Sequence, residues 1–202
     1  MNTLVRIQLA VCCTALVILA VEPSAPLFEN DQVKVSRALE KAHVKSAFHE
    51  HKPNRVMIYL QAGRQRFEYQ DGRQPAVFDW KPGQVVWSKA EGMHSPEVTS
   101  DDPFNIIEVE LKNAGVAKSL GNPRDKHYTL EFENNQVRVM RLKLGPHESA
   151  PSMAHPLNAV DVYLTPSGEH KYGEALWKAA GAYREENFGA APLEMVVVEI
   201  KG

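Results

Sequence analysis

Phe28-Glu29-Asn30-Asp31-Gln32-Val33-Lys34-Val35 and Phe132-Glu133-Asn134-Asn135-Gln136-Val137-Arg138-Val139 are two versions of one segment. The register continues without a gap through Arg37 on Arg141, His43 on His147, His51 on His155, Asn54 on Asn158 and Val56–Leu60 on Val160–Leu164. Thirteen of the 33 aligned pairs are identical, where ordinary composition gives roughly two by chance. The far ends match as well, Pro103–Lys112 lying on Pro192–Lys201 with the proline and a Val-Glu-x-Lys ending in common, and the second copy is 15 residues shorter in between. The pattern predicts a tandem duplication, with residues 22–112 and 127–202 as the two copies. Residues 113–126, containing Gly115, Gly121, Asn122 and Pro123, read as the linker.

Each copy is written in short runs of β-branched or aromatic residues. Val33–Leu39, Val56–Leu60, Gln84–Trp87 and Phe104–Leu111 are bounded by Asn-Asp, Pro-Asn, Lys-Pro-Gly and Asp-Asp-Pro, the chemistry of turns. Within Phe104–Leu111 the side chains alternate from Ile107 onward. Ile107, Val109 and Leu111 fall on one face and Glu108 and Glu110 on the other, which predicts a half-buried antiparallel strand. Only Tyr172–Gly189 offers helical spacing, and Gly173, Gly181 and Gly189 interrupt it. The expected class is all-β, two small sandwiches or barrels in tandem.

The chain outside this pattern begins with Met1–Arg6, which carry the only charge before Glu22, followed by an apolar run from Leu9 to Val21 broken only by Thr14. That is the anatomy of a secretory signal, too short to span roughly 30 Å of hydrocarbon. Residues 1–21 are read as the signal segment, with cleavage after Ala20 and an alternative after Ala25. The expected location is periplasmic or secreted, with membrane contact through that segment alone. Both cysteines, Cys12 and Cys13, fall inside it, so the folded part has no thiol for a disulfide or a cysteine-based zinc site. The 202 residues are 44% apolar and 24% charged with a formal charge of −2, and no like-charge run forms a polyanion-binding face. Nucleic acid is excluded as a partner on that ground. No nucleophile elbow, phosphate loop, His-Glu-x-x-His or calcium loop occurs, which sets aside acyl-transfer and nucleotide chemistry.

The residues with chemistry are histidines. His49-Glu50-His51 on an extended strand puts two imidazoles on one face, within reach of one ion. A third comes from His94, which follows Lys81-Pro82-Gly83-Gln84-Val85-Val86-Trp87 and stands at the end of a candidate strand.

This arrangement resembles the cupin superfamily over nearly all of the chain after the signal segment. Cupins carry His-x-His, then Glu three or four residues later, then Gly, with a second motif in which Pro-x-Gly or Pro-Gly-Asp precedes His. His49, His51 and Gly63 meet the first motif, and Pro82, Gly83 and His94 the second. The two places for the Glu hold Arg55 and Val56. The resemblance implies a jelly-roll β-barrel and one divalent metal ion (Fe, Mn, Zn, Ni or Cu) held by His49, His51 and His94, a set similar to that of the thiol dioxygenases. In the second copy His51 has its counterpart in His155, but Met153 and Tyr183 replace His49 and His94, so that copy is read as degenerate and metal-free. His43 and His147, matched between the copies but outside the motif, are assigned structural roles.

An ion on three neutral imidazoles keeps its whole +2 charge, so the pocket is expected to prefer small anions such as carboxylates. Arg55 either points inward to such an anion or extends into solvent. Tyr59, Trp87 and Glu97 complete the expected ligand-binding residues, Tyr59 and Trp87 as pocket wall. Glu50, Glu97 and Tyr59 are the acid or base candidates. Two functions follow. One is an exported metal-dependent enzyme, dioxygenase- or isomerase-like, acting on a small anionic molecule; the other is a non-catalytic small-ligand-binding or structural cupin. A homodimer is the expected assembly.

Overall fold

The computed structural model describes residues 26–123 and 125–202; the signal segment lies outside them. The strands are Pro26–Glu29 (β1), Val33–Glu40 (β2), His49–His51 (β3), Arg55–Tyr59 (β4), Gly63–Tyr69 (β5), Ala76–Trp80 (β6), Val85–Ser88 (β7), Glu91–Val98 (β8) and Phe104–Leu111 (β9), then Tyr128–Glu133 (β10), Val137–Leu144 (β11), Met153–His155 (β12), Ala159–Tyr163 (β13), Ala175–Lys178 (β14), Gly181–Tyr183 (β15) and Leu193–Ile200 (β16). No helix occurs among the described residues, and all pairings between strands are antiparallel.

Four sheets result. Two are five-stranded, in the orders β1-β2-β9-β4-β7 and β10-β11-β16-β13-β14; a four-stranded sheet runs β3-β8-β5-β6, and β12 pairs with β15 alone. The five-stranded sheets face each other across the main core. Val33, Val35, Val56, Ile58, Ile107, Val109 and Leu111 of the first meet Val137, Val139, Val160, Val162, Val196, Val198 and Ile200 of the second. The alternate residues of the first sheet, Met57, Tyr59, Phe104 and Ile106, turn the other way and pack with Trp80 and Val98 of the four-stranded sheet. The first five-stranded sheet is therefore covered on both faces, and every residue of β4 is buried.

Polar contacts tie the facing sheets together. Asn54 Nδ2 donates to Gln136 Oε1 at 2.6 Å and Asn158 Nδ2 to Gln32 Oε1 at 2.7 Å. Arg37 Nη2 donates to the carbonyl of Gly173 at 2.5 Å, and Arg141 Nη2 to that of Gly83 at 2.7 Å. His43 and His147 take left-handed backbone at φ 57° and 56°, the only non-glycine residues to do so among those described.

Two expectations are corrected, and the interrupted helical spacing of Tyr172–Gly189 resolves into strands. Among the described residues no sheet closes into a barrel: Pro53, which has no N–H to offer a ladder, follows β3 after one residue, and the chain crosses to the facing sheet. The stretch from Tyr172 to Gly189 is not helical but holds β14, a turn and β15. Gly173 has φ 74°, its N–H donating to Tyr163 O at 2.7 Å and the next N–H to Lys171 O at 3.0 Å, a tight turn no helix can contain. Finally, Glu108 does not face water but the interior between the first five-stranded sheet and the four-stranded sheet, its side chain 14% exposed.

Candidate metal centre

On β3 the two-residue period turns His49 and His51 inward and leaves Glu50 exposed, within 3.8 Å of Lys52 Nζ. β8 runs beside it with His94 opposite His49, and an irregularity between His49 and His51 sets His51 opposite Glu91. The ring centroids lie 4.9 Å (His49–His51), 4.8 Å (His49–His94) and 5.4 Å (His51–His94) apart. One nitrogen of each ring lies within 4.8 Å of the other two. Bonds of about 2.1 Å to a single ion bring such nitrogens to roughly 3.0–3.4 Å, so the rings need only close by a rotamer adjustment. The three histidines can hold a metal ion.

Backbone carbonyls set two of the tautomers. His49 Nδ1 donates to Ala47 O at 2.9 Å and His94 Nδ1 to Gly92 O at 3.0 Å, which puts the lone pair of each neutral ring on Nε2. Burial, reinforced by the Arg55 guanidinium and the neighbouring imidazoles, pushes His51 down to about 3, so this ring is neutral at ordinary pH.

The facing sheet supplies charge. Arg55, 6% exposed, directs Nη1 to Glu108 Oε1 at 2.9 Å and to His51 Nδ1 at 2.8 Å, and Nε to Ser88 Oγ at 3.4 Å. Burial holds the Glu108 carboxyl above its ordinary value against the pull of Arg55. Glu40, at the end of β2, accepts a hydrogen bond from Gln65 Nε2 at 3.0 Å, and Gln65 Oε1 accepts one from Trp80 Nε1 at 2.9 Å. Burial, then the nearby Glu108 charge, raises Glu40 from 4.5 to about 7.

A cavity of about 510 Å³ opens beside this cluster, lined by Arg55, Tyr59, Phe67, Phe78, Trp80 and His94 among others. Tyr59 is 1% exposed and stacks on Trp80 with centroids 4.1 Å apart, and burial raises its phenol. Trp87 borders the cavity, but its ring packs into the main core opposite Phe132, centroids 6.3 Å apart. Glu97 is not brought to the site: it sits opposite Arg66 in the sheet and 3.8 Å from Arg66 Nη1, in a charged group with Glu68 and Lys45.

No protein-family model matches the chain, and no curated protein does. Solved structures do match. A protein from Microcystis aeruginosa, AerE, superposes over 89% of this chain and 97% of its own with TM-score 0.63 at 13% identity. A cupin 2 conserved barrel domain protein from Leptotrichia buccalis covers 92% of both chains with TM-score 0.58 at 14% identity. Oxalate decarboxylase from Bacillus subtilis, studied elsewhere for its Mn(II) centres, covers 85% of this chain and 68% of its own, with TM-score 0.62 at 10% identity.

The fold is cupin-like.

Reading this cupin-like chain as sequence missed Glu40 and Glu108. Glu108 carried a signal, since it shares a strand face with Phe104 and Ile106, but its alternation with Ile107 and Val109 cannot by itself tell a solvated face from a second buried one. Glu40 carried none, because Gln65 and Trp80 reach it from other strands.

Proposed function

We propose that this cupin-like protein binds one divalent metal ion through His49, His51 and His94 and uses it as an enzyme acting on a small carboxylate. The observation that carries the reading is the three-imidazole set with two Nδ1–H groups pinned by backbone carbonyls, the support that ligating histidines usually have. A bound ion would supply Lewis-acid polarisation of an oxygen of the ligand. Arg55 favours an anionic ligand: it borders the cavity, and its Nη2 has no hydrogen-bond partner among the described residues. Glu40, poised near neutrality, adds a group able to hold or yield a proton at pH 7.

The duplication belongs to the same proposal. The two five-stranded sheets have strand orders that correspond position by position, and their first hairpins carry irregularities at Pro26/Phe28 and Leu130/Phe132, equivalent places in the aligned repeat. His49 stands opposite His94 as Met153 stands opposite Tyr183. In the second copy His155 is buried and stacked on Tyr183, centroids 4.1 Å apart, and among the described residues no strand corresponds to β5 or β6. This supports one working site and one degenerate copy. Export by the N-terminal segment completes the reading.

Elemental analysis and metal titration of the mature protein test it. Wild type is expected to bind one equivalent, His49→Ala and His94→Ala to lose it, and His155→Ala to keep it. A full equivalent retained by the variant lacking all three histidines refutes the site. Metal binding without turnover of any small carboxylate leaves the non-catalytic reading.

A further inference from the structure

Arg55 treats His51 unlike its two partners. A guanidinium carries five N–H donors and no acceptor, and it stays protonated in proteins. Its Nη1, 2.8 Å from His51 Nδ1, can only donate there, so His51 Nδ1 is the acceptor and the proton of the neutral ring is on Nε2. His49 and His94 are the other way round, because the carbonyls of Ala47 and Gly92 accept from their Nδ1 atoms. Two rings are thus set with the lone pair on Nε2 and the third with it on Nδ1, where Arg55 holds it.

We propose that Arg55 is a latch on the metal site: its hydrogen bond to His51 and the binding of a metal ion by His51 exclude each other. This rests on the three-histidine reading above. If His51 binds through Nδ1, the ion takes the lone pair that Arg55 occupies. If it binds through Nε2, the proton moves to Nδ1 and confronts a donor that has nothing to accept. Either way Arg55 must turn aside. It has somewhere to go, because Glu108 Oε1 at 2.9 Å already takes a second Nη1 bond and the guanidinium borders the cavity. An anion in that cavity that draws the Nη1 donor away from His51 would release it, which makes Arg55 a positioning residue that couples ligand to metal. A charge-assisted hydrogen bond that must be given up weakens metal binding on the order of 10- to 100-fold.

The test uses the full mature chain and Zn²⁺. Calorimetric titration compares wild type with Arg55→Met and, since Arg55→Met leaves Glu108 buried and unpaired, with the double variant Arg55→Met/Glu108→Gln as a second folded background. Long-range ¹⁵N–¹H spectra of the metal-free wild type read the tautomers. We expect zinc to bind 10- to 100-fold more tightly without Arg55, and the metal-free spectra to show His51 as Nε2–H beside Nδ1–H His49 and His94. Loss of a positive charge alone also tightens zinc, but it does not require an Nε2–H tautomer of His51 in the metal-free wild type, which the hydrogen bond from Arg55 does. His51 found as Nδ1–H in the metal-free protein, or equal measurable zinc affinities in folded wild type and variants, overturns the latch. Failure of every variant to bind zinc instead overturns the three-histidine reading, and the latch with it.

Discussion

Replacing Glu40 by Gln removes a half-buried carboxyl whose titration is displaced from 4.5 to about 7. Between those values the unfolded chain has ionised this group and the folded protein has not. The folded state then binds more protons, and its stability falls as pH rises from about 4.5 through 7. Each unit of displacement corresponds to about 1.36 kcal/mol, so the shift sets an upper bound of about 3.4 kcal/mol for a fully dry site. Glu40 is only partly buried and keeps a hydrogen bond from Gln65, so we expect about 1–2 kcal/mol after solvent screening. Urea denaturation of wild type and Glu40→Gln at pH 4, 6 and 8 measures it. The two should differ by a small constant at pH 4, and the variant should gain the full amount by pH 8. A difference flat across that range would show that Glu40 titrates as an ordinary exposed carboxylate. A variant that loses stability towards pH 8 would show that Arg55 stabilises the ionised form more than burial opposes it.

Other perturbations test the packing and the rest of the electrostatics. A Cβ at Gly63 would run into the ring of Phe104, meeting Cγ at 2.7 Å, so Gly63→Ala should cost about 1–3 kcal/mol of unfolding free energy, read as a lower denaturation midpoint at an unchanged m-value. Asn54 also accepts from Ala90 N at 2.6 Å and Asn158 from Ala180 N at 2.8 Å, besides bridging the two large sheets. Each Asn→Ala change should cost about 1–2 kcal/mol in thermal or chemical unfolding, and the pair should be additive because the bridges share no partner. His51, driven down to about 3, is neutral in the folded state while the unfolded ring takes a proton below 6.5. It therefore contributes stability that is complete above pH 6.5 and is lost as pH falls towards 3. In metal-free protein, His51→Gln should flatten the pH dependence of unfolding between pH 4 and 6.

Much of this molecule is local and therefore legible in the chain. The runs Val33–Leu39, Val56–Leu60 and Phe104–Leu111 become β2, β4 and β9 because β-branched residues bounded by Asn, Pro and Asp have few other conformations to adopt. The His-x-His pair lands on one face because a strand has a period of two, and His94 follows the Pro82–Gly83 turn onto the neighbouring strand. Closure did not follow from these signals, since pairing at a sheet edge depends on where the chain crosses between layers. Tyr172–Gly189 was ambiguous for a related reason: its spacing suits a helix, but Gly173 adopts a turn and the flanking segments are claimed by long-range partners.

Tertiary structure alone decided the surroundings of the histidines. Glu108 alternates with apolar neighbours, a pattern that reads as a wet face, and Arg55 stands at the head of an unbroken apolar run that leaves its direction open. They are buried because a second sheet covers that face, and two charges removed from water must then find each other. The same enclosure lifts Glu40 to about 7, brings Gln65 and Trp80 to it from separate strands, and turns Arg55 onto His51. Residue types and periods determine which groups lie on which strand, and only the packing of one sheet on another determines which of them share a dry interior and thus which can act on one another.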